Sequence, residues 1–282
     1  MKNKFTGKTP RFVYALCAAA PVILLSAAFF APFFAPHNPL AVSLENTLAP
    51  PCAEYPLGTD ELGRCILSRL MTGSRTTLGA AFIIEIIILV CGIFTGMFAG
   101  FAGGIFDAVF ISIIDILLAF PSVIFALVLS GILGAGLHNV MIAMICVYWV
   151  EHARIARSAC RALREKEFVL AARAIGCSNS RIIFKHILPE IIPGMLVFST
   201  LHITHIIIAL SSLSFLGLGV RPPAPEWGAM LSAQRNYLRE NPAAALAVLA
   251  CLALSAACFQ FAGEKLRDVQ NPRNDRRIIR IK

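Results

Sequence analysis

Six separate runs, each about twenty mostly apolar residues long, constrain this chain more than any other feature. They cover residues 13–34, 78–98, 108–130, 139–156, 191–218 and 243–261. A helix of that length matches the hydrocarbon thickness of a bilayer. It also satisfies its own backbone polar groups where no water can. The runs predict an all-α polytopic membrane protein with six transmembrane helices. The fourth has the shortest uncharged core, residues 140–150. A mean hydropathy of +0.74 agrees with this class. A cleaved signal peptide competes as a reading of the first run. Its small-residue sites, at residues 18–20 and 26–28, lie inside the run, and bulky, proline-rich 29–36 follows. The run therefore reads as a retained span.

Basic residues set the orientation. With a cytoplasmic N-terminus, four of them precede or open the first span, eight lie from Arg154 to Lys185, and seven fall from Lys265 onward. Only Arg64, Arg69, Arg75, Arg221, Arg235 and Arg239 are left for the other side. Loops on the cytoplasmic side of a membrane are enriched in Lys and Arg, so the bias predicts both termini cytoplasmic. It also accounts for the net charge of +9 without nucleic acid as a partner. A basic tail beside a membrane faces anionic lipid.

Between the fourth and fifth runs lies a polar-rich stretch, EFVLAARAIGCSNSRIIFKHILP, residues 167–189. Ala171, Ala172, Ala174 and Ile175 favour a short helix, which Gly176 ends. Ser178 or Asn179 can cap a second short helix, residues 181–188, closed by Pro189. Two short helices around a glycine elbow make a protruding knuckle. On the charged side of a membrane protein, such a knuckle is a docking element.

The pattern Ala171-Ala172, three residues, Gly176, then Ile187-Leu188-Pro189 resembles the EAA loop of ABC importer permeases. Leu170 stands where that family usually has an acid, with Glu167 one turn earlier. The dipeptide, oligopeptide and nickel branch lacks the acid too. Two more segments resemble the same branch. GTDELGRCILSRLMTGSRTTLG is similar to its GTDxxGRDxxSRLxxGxRxSL stretch, with Cys65 in place of an acid. SFLGLG followed by PAPEWGAM is similar to its SFLGLG…PxxEWGxM segment. The resemblance implies a type I ABC importer permease fold in the cytoplasmic (inner) membrane. It implies a second homologous permease subunit, two ABC ATPase subunits and an extracytoplasmic substrate-binding protein as partners. Glu167, Ala171, Ala172, Arg173, Gly176, Leu188 and Pro189 become candidates for coupling to the ATPase. The expected organisation is a first span plus extracytoplasmic loop (1–73), a permease core (74–265) containing the coupling loop (158–189), and a basic tail (266–282). No phosphate-binding loop, nucleophile elbow or H-E-x-x-H motif is present, so ATP hydrolysis is expected on another chain, with no cofactor here.

Before the second span, Thr59 or Asp60 can cap an amphipathic helix carrying Leu62, Ile66, Leu67 and Leu70. Inside the spans stand Glu85, Asp115, His202 and His205. An intramembrane acid costs roughly 3 kcal/mol by insertion scales, so such residues face a bundle interior or a water-filled path. Glu85 reads equally as path residue or internal anchor; Asp115 leans to the anchor, because the family this chain resembles often has Asp in that setting, and Pro121 is expected to kink the helix beyond it. His202 and His205 share a helix face and could hold one metal ion; two hydrogen-bonded structural imidazoles are the bland alternative. The histidine with Arg235, Tyr237 and Pro242 resembles the nickel permeases, favouring nickel or a metal chelate over a peptide as substrate. An ATP-independent channel or secondary transporter has no use for the charged knuckle. The nine cysteines form no C-x-x-C pair; Cys52 and Cys65, both in the outer connection, could form a disulfide.

Overall fold

A computed structural model describes residues 11–270, with side chains from residue 19. The basic residues before Arg11 and most of the basic tail lie outside the described residues. Among the described residues there is no strand, only helices and one isolated bridge between Thr59 and Cys65. The elements are α1 (Arg11–Phe30), α2 (Ile66–Ala102), α3 (Gly104–Leu118), α4 (Ser122–Leu133), α5 (Leu137–Arg164), α6 (Glu167–Ala174), α7 (Asn179–Ile182), α8 (Leu188–Phe215), α9 (Trp227–Gln234) and α10 (Pro242–Gln270).

By length and composition three helices can cross a membrane: α2, the run from α7 through α8, and α10. The α3–α4 pair adds a fourth if its two halves make one span. Helix α5 contains the expected fourth run and continues through Arg164, acquiring charge from Glu151 onward.

Three expectations about elements are corrected. The amphipathic segment and the second span are one helix: α2 has 37 residues, about 55 Å at 1.5 Å per residue, well beyond the roughly 30 Å hydrocarbon layer. The expected third span is broken, with α3 and α4 meeting at 83°. Pro189 does not close a helix; it sits in the first turn of α8, where a missing N–H costs nothing. The join is a π-helical turn, Ile183–Ile187, in which the Leu188 N–H reaches back to the Ile183 carbonyl.

The bundle is organised by close contact of α2 and α5. Gly92, Gly96 and Gly100 recur every fourth residue, lining one face of α2. A Cβ at Gly92 would collide with the His152 Cβ, at Gly96 with the Ala153 carbonyl, and at Gly100 would lie 2.7 Å from the Arg157 carbonyl. Small residues thus let two backbones approach within the membrane, where dispersion and not water drives helix association. Ala153, Ala156 and Cys160 complete the seam from the α5 side. Helix α8 packs on both α2 and α5, and α10 packs on α8 and α1. At the far end of α2, Arg157 grips Asp107 at the start of α3, with Nη2 2.7 Å from Oδ2. One of the expected cytoplasmic cations is therefore spent inside the chain.

Candidate functional site

Two regions carry the candidate residues. The first is the middle of the α2–α5–α8 contact. Glu85 comes from α2, His152 from α5 and His202 from α8; the three are 5%, 0% and 4% exposed. His152 Nε2 lies 3.0 Å from Glu85 Oε1, and His202 Nδ1 lies 2.9 Å from Glu85 Oε2. Each carboxylate oxygen is thereby committed to one imidazole. Ser199 Oγ, on α8, lies 3.1 Å from His152 Nε2. The Phe198 ring stacks on His202 at 5.5 Å and meets His152 edge-on at 4.8 Å. An acid buried in this way needs such partners, because an unpaired buried carboxylate costs several kcal/mol.

One ligand atom from each of Glu85, His152 and His202 lies within 4.8 Å of the others, which is metal-site spacing. The donor set, one carboxylate and two imidazoles, suits nickel, zinc or copper. An ion at the centre would displace both imidazole–carboxylate hydrogen bonds.

Beside this cluster an open pocket of about 440 Å³ is lined by His202, His205, Tyr148 and Glu151. The α3–α4 break forms its other wall through Pro121, Ser122 and Val123. His205 is exposed, one turn beyond His202, with the two rings 6.0 Å apart. His202 Nε2 lies 3.7 Å from Glu151 Oε2. The Tyr148 hydroxyl is buried without a hydrogen-bond partner among the described residues.

Of the sequence candidates, the structure brings Glu85 and His202 into one cluster and sets His205 at the pocket. Glu85 does not line that pocket. Asp115 is exposed on α3, with no hydrogen bond or ion pair to another described residue. His152 and Glu151 are functional candidates that motif reading passed over. The available signal was the glycine stripe on α2, which marks the face where α5 must arrive.

The second region is the knuckle. Helix α6 starts at Glu167, as expected, and Gly176 turns the chain with φ +83°. Ser178 caps α7, its Oγ accepting from the Arg181 N–H at 3.4 Å. Val169, Ala172, Ile182 and Ile187 are buried against Ile93 and Met97 of α2 and Ala156 and Cys160 of α5. Leu188 packs on the edge of this cluster. Glu167, Ala171, Arg173, Gly176 and Pro189 are exposed, with Phe168, Leu170, Ile175 and Phe184 beside them. The buried residues fix the knuckle to the ends of α2 and α5; the exposed ones leave a mixed apolar and basic face.

The opposite end of α2 accounts for the two remaining motifs. Asp60 caps no helix; Cys65 is the N-cap residue of α2. Instead Asp60 Oδ1 accepts from the backbone N–H groups of Leu62 and Arg64. Its Oδ2 pairs with Arg64 Nε at 2.7 Å and Arg69 Nε at 3.3 Å. Thr59 Oγ1 donates to the Asn46 carbonyl. Glu226 caps α9, accepting from the Gly228 and Ala229 N–H groups at 2.9 Å and from Thr77 Oγ1 at 3.0 Å. Trp227 Nε1 donates to the Leu70 carbonyl, and Gly228 lets α9 press against Ser211 of α8. Burial pushes the Glu226 carboxyl above its ordinary range despite these hydrogen bonds. Cys52 and Cys65, which could have paired, are free thiols, the first exposed and the second buried.

Comparison with known proteins places this architecture. Residues 92–268 match the family described as the binding-protein-dependent transport system inner membrane component. The nickel transport system permease protein NikC of Escherichia coli K12 is 38% identical over 84% of this chain and 86% of its own length. The dipeptide transport system permease protein DppC of Alkalihalophilus pseudofirmus is also 38% identical, over 87% and 81%. Among solved structures, an inward-facing form of the MetNI methionine ABC transporter superposes with a TM-score of 0.55 at 22% identity, covering 72% of this chain and 96% of that one. The chain belongs to the binding-protein-dependent transport system inner membrane component family, as a multi-pass permease of the cytoplasmic membrane and the membrane component of an ABC importer.

Proposed function

We propose that this permease carries nickel or a nickel chelate, paired with a second homologous permease, two ABC ATPases and an extracytoplasmic substrate-binding protein. Six spans with both termini cytoplasmic are the topology, and the knuckle of α6 and α7 is the ATPase contact. ATP-driven closure of the ATPases moves the knuckle. The buried cluster of Val169, Ala172, Ile182 and Ile187 passes that motion to α2 and α5, shifting the bundle between inward-facing and outward-facing states.

The observation that carries the substrate reading is the pocket beneath the α3–α4 break, where two imidazoles and the Glu151 carboxylate interrupt an apolar wall. Imidazole with carboxylate is the donor chemistry of a transition metal. A peptide substrate is the second reading, supported by the dipeptide permease relative at the same 38% identity.

The test is uptake of radioactive nickel by cells expressing the complete transporter, with and without free histidine as chelator, for wild type and His205→Ala. The expected result is ATP-dependent nickel uptake that falls in the variant at unchanged protein level. Dipeptide uptake with no nickel uptake would refute the metal reading.

A further inference from the structure

The geometry points to a divalent transition-metal subsite between His202 Nε2 and Glu151 Oε2, with Glu85 holding the His202 ring in place from behind. It rests on the metal-carrying reading above and names the atoms that would touch the ion.

The tautomer follows from hydrogen bonding. Glu85 Oε2 is an acceptor 2.9 Å from His202 Nδ1, so that nitrogen carries the ring proton. The other nitrogen, Nε2, then presents a lone pair, and 3.7 Å away stands a second acceptor, Glu151 Oε2. Two acceptors facing one another attract a cation, either a proton on Nε2 or a metal ion in its place. A transition metal sits about 2.0–2.2 Å from imidazole nitrogen and carboxylate oxygen, so ligands on one ion lie up to about 4 Å apart. The observed gap falls in that span. Metal-binding histidines characteristically donate their other N–H to a carboxylate, which fixes the tautomer and the ring orientation. Glu85 stands in that position here.

The cluster of Glu85, His152 and His202 offers a rival site, and the hydrogen bonds argue against it. Both Glu85 oxygens are taken by imidazoles, and His152 is fully buried, away from the pocket. The Glu151 site instead opens on the pocket, with His205 lining it one turn away and the unpartnered Tyr148 hydroxyl nearby. Two fixed protein ligands leave coordination positions for water or for a chelator arriving with the ion. A conduit needs binding strong enough to admit its cargo and weak enough to release it.

The experiment titrates Ni²⁺ alone, then Ni²⁺ with free histidine, into the complete transporter in lipid nanodiscs. Binding is read by calorimetry, and the ligands by nickel X-ray absorption. The expected result is imidazole scattering in the wild type and loss of it in His202→Ala. Binding should weaken at least tenfold in His202→Ala and Glu151→Gln, and roughly 10–100-fold in Glu85→Gln, the usual range for a supporting carboxylate. Glu151 is 39% exposed at its side chain, so its variant carries the test even if a buried-site variant misassembles. Wild-type affinity in Glu151→Gln or in folded His202→Ala would overturn the subsite, as would a wild type that binds Ni²⁺ in neither form. Cellular uptake, measured separately, distinguishes this failure: nickel transport that survives it keeps the cargo and moves the site.

Discussion

At one end of α2 the charged groups are buried and satisfied within the chain; at the other, Arg157 is paired with Asp107 while the cations of the knuckle are left open. Asp60, Arg64, Arg69 and Glu226 are all buried, and each finds a charged or backbone partner. At the knuckle, Arg173, Arg181 and Lys185 make no ion pair with a described residue, and Ile175 is 81% exposed beside them. A buried ion must be paired, because an unpaired one costs several kcal/mol. An exposed ion costs little and stays free for another surface. The first end is therefore a finished structure that clamps α2, α8 and α9. The second leaves its charged and apolar groups exposed, as the proposed ATPase contact requires.

The sharpest way to break the comparison is Asp60→Ala. It removes the carboxylate shared by two buried guanidinium groups, leaving Arg64 only Glu61 and Arg69 only the Pro39 and Pro223 carbonyls, and the expected loss is about 3 kcal/mol. Thermal unfolding of the purified complex should register it as a large fall in melting temperature. An equal loss on removing Arg173 would erase the distinction between the ends.

Gly176→Pro probes the open end. Gly176 needs φ +83°, which proline cannot adopt, yet nothing lies within 4 Å of its Cβ position. The strain stays local, so the bundle should persist while ATP-dependent uptake falls by about tenfold, within the usual range of coupling energies. Uptake at the wild-type rate in a folded variant would refute the coupling role of the knuckle.

Glu226→Gln tests the closed end through pH. Burial raises the folded-state pKa of Glu226 above its ordinary value of 4.5. The folded chain thus holds this proton to higher pH than the unfolded chain. Its stabilising contribution is complete below the ordinary value and is lost as pH rises through the folded one. The variant loses one cap acceptor, costing about 1 kcal/mol. The wild-type melting temperature should therefore fall relative to that of the non-titrating variant as pH rises from the ordinary value through the folded one.

Ile175→Ser should change stability least, by less than about 0.5 kcal/mol, since the residue is 81% exposed. Its expected effect is on retention of the ATPase during purification. A stability change above 1 kcal/mol would mean that Ile175 is part of the core.

Local chemistry was legible in the sequence wherever it acts over a few residues. Glu167, the glycine turn at Gly176 and the Ser178 cap stand where propensity and capping rules place them. The apolar runs marked α8 and α10 nearly to their first residues, because hydropathy is a sum over one helix. Proline was the weak point. Pro121 broke a span expected to kink, whereas Pro189, expected to end a helix, begins one. The difference is whether the position has an N–H to lose, which depends on where the helix has already started.

What the sequence determined by itself was the membrane class, the family and the knuckle, since each is written in contiguous residues. Tertiary structure alone decided what Glu85 does. Its partners lie 67 and 117 residues away: His152 meets it because Gly92, Gly96 and Gly100 let α5 approach α2, and His202 because α8 packs on both. Hydropathy marks an acid in an apolar helix as costly without specifying what offsets the cost. Only the crossing of three helices turns Glu85 toward two imidazoles and leaves His202 Nε2 facing the pocket with Glu151.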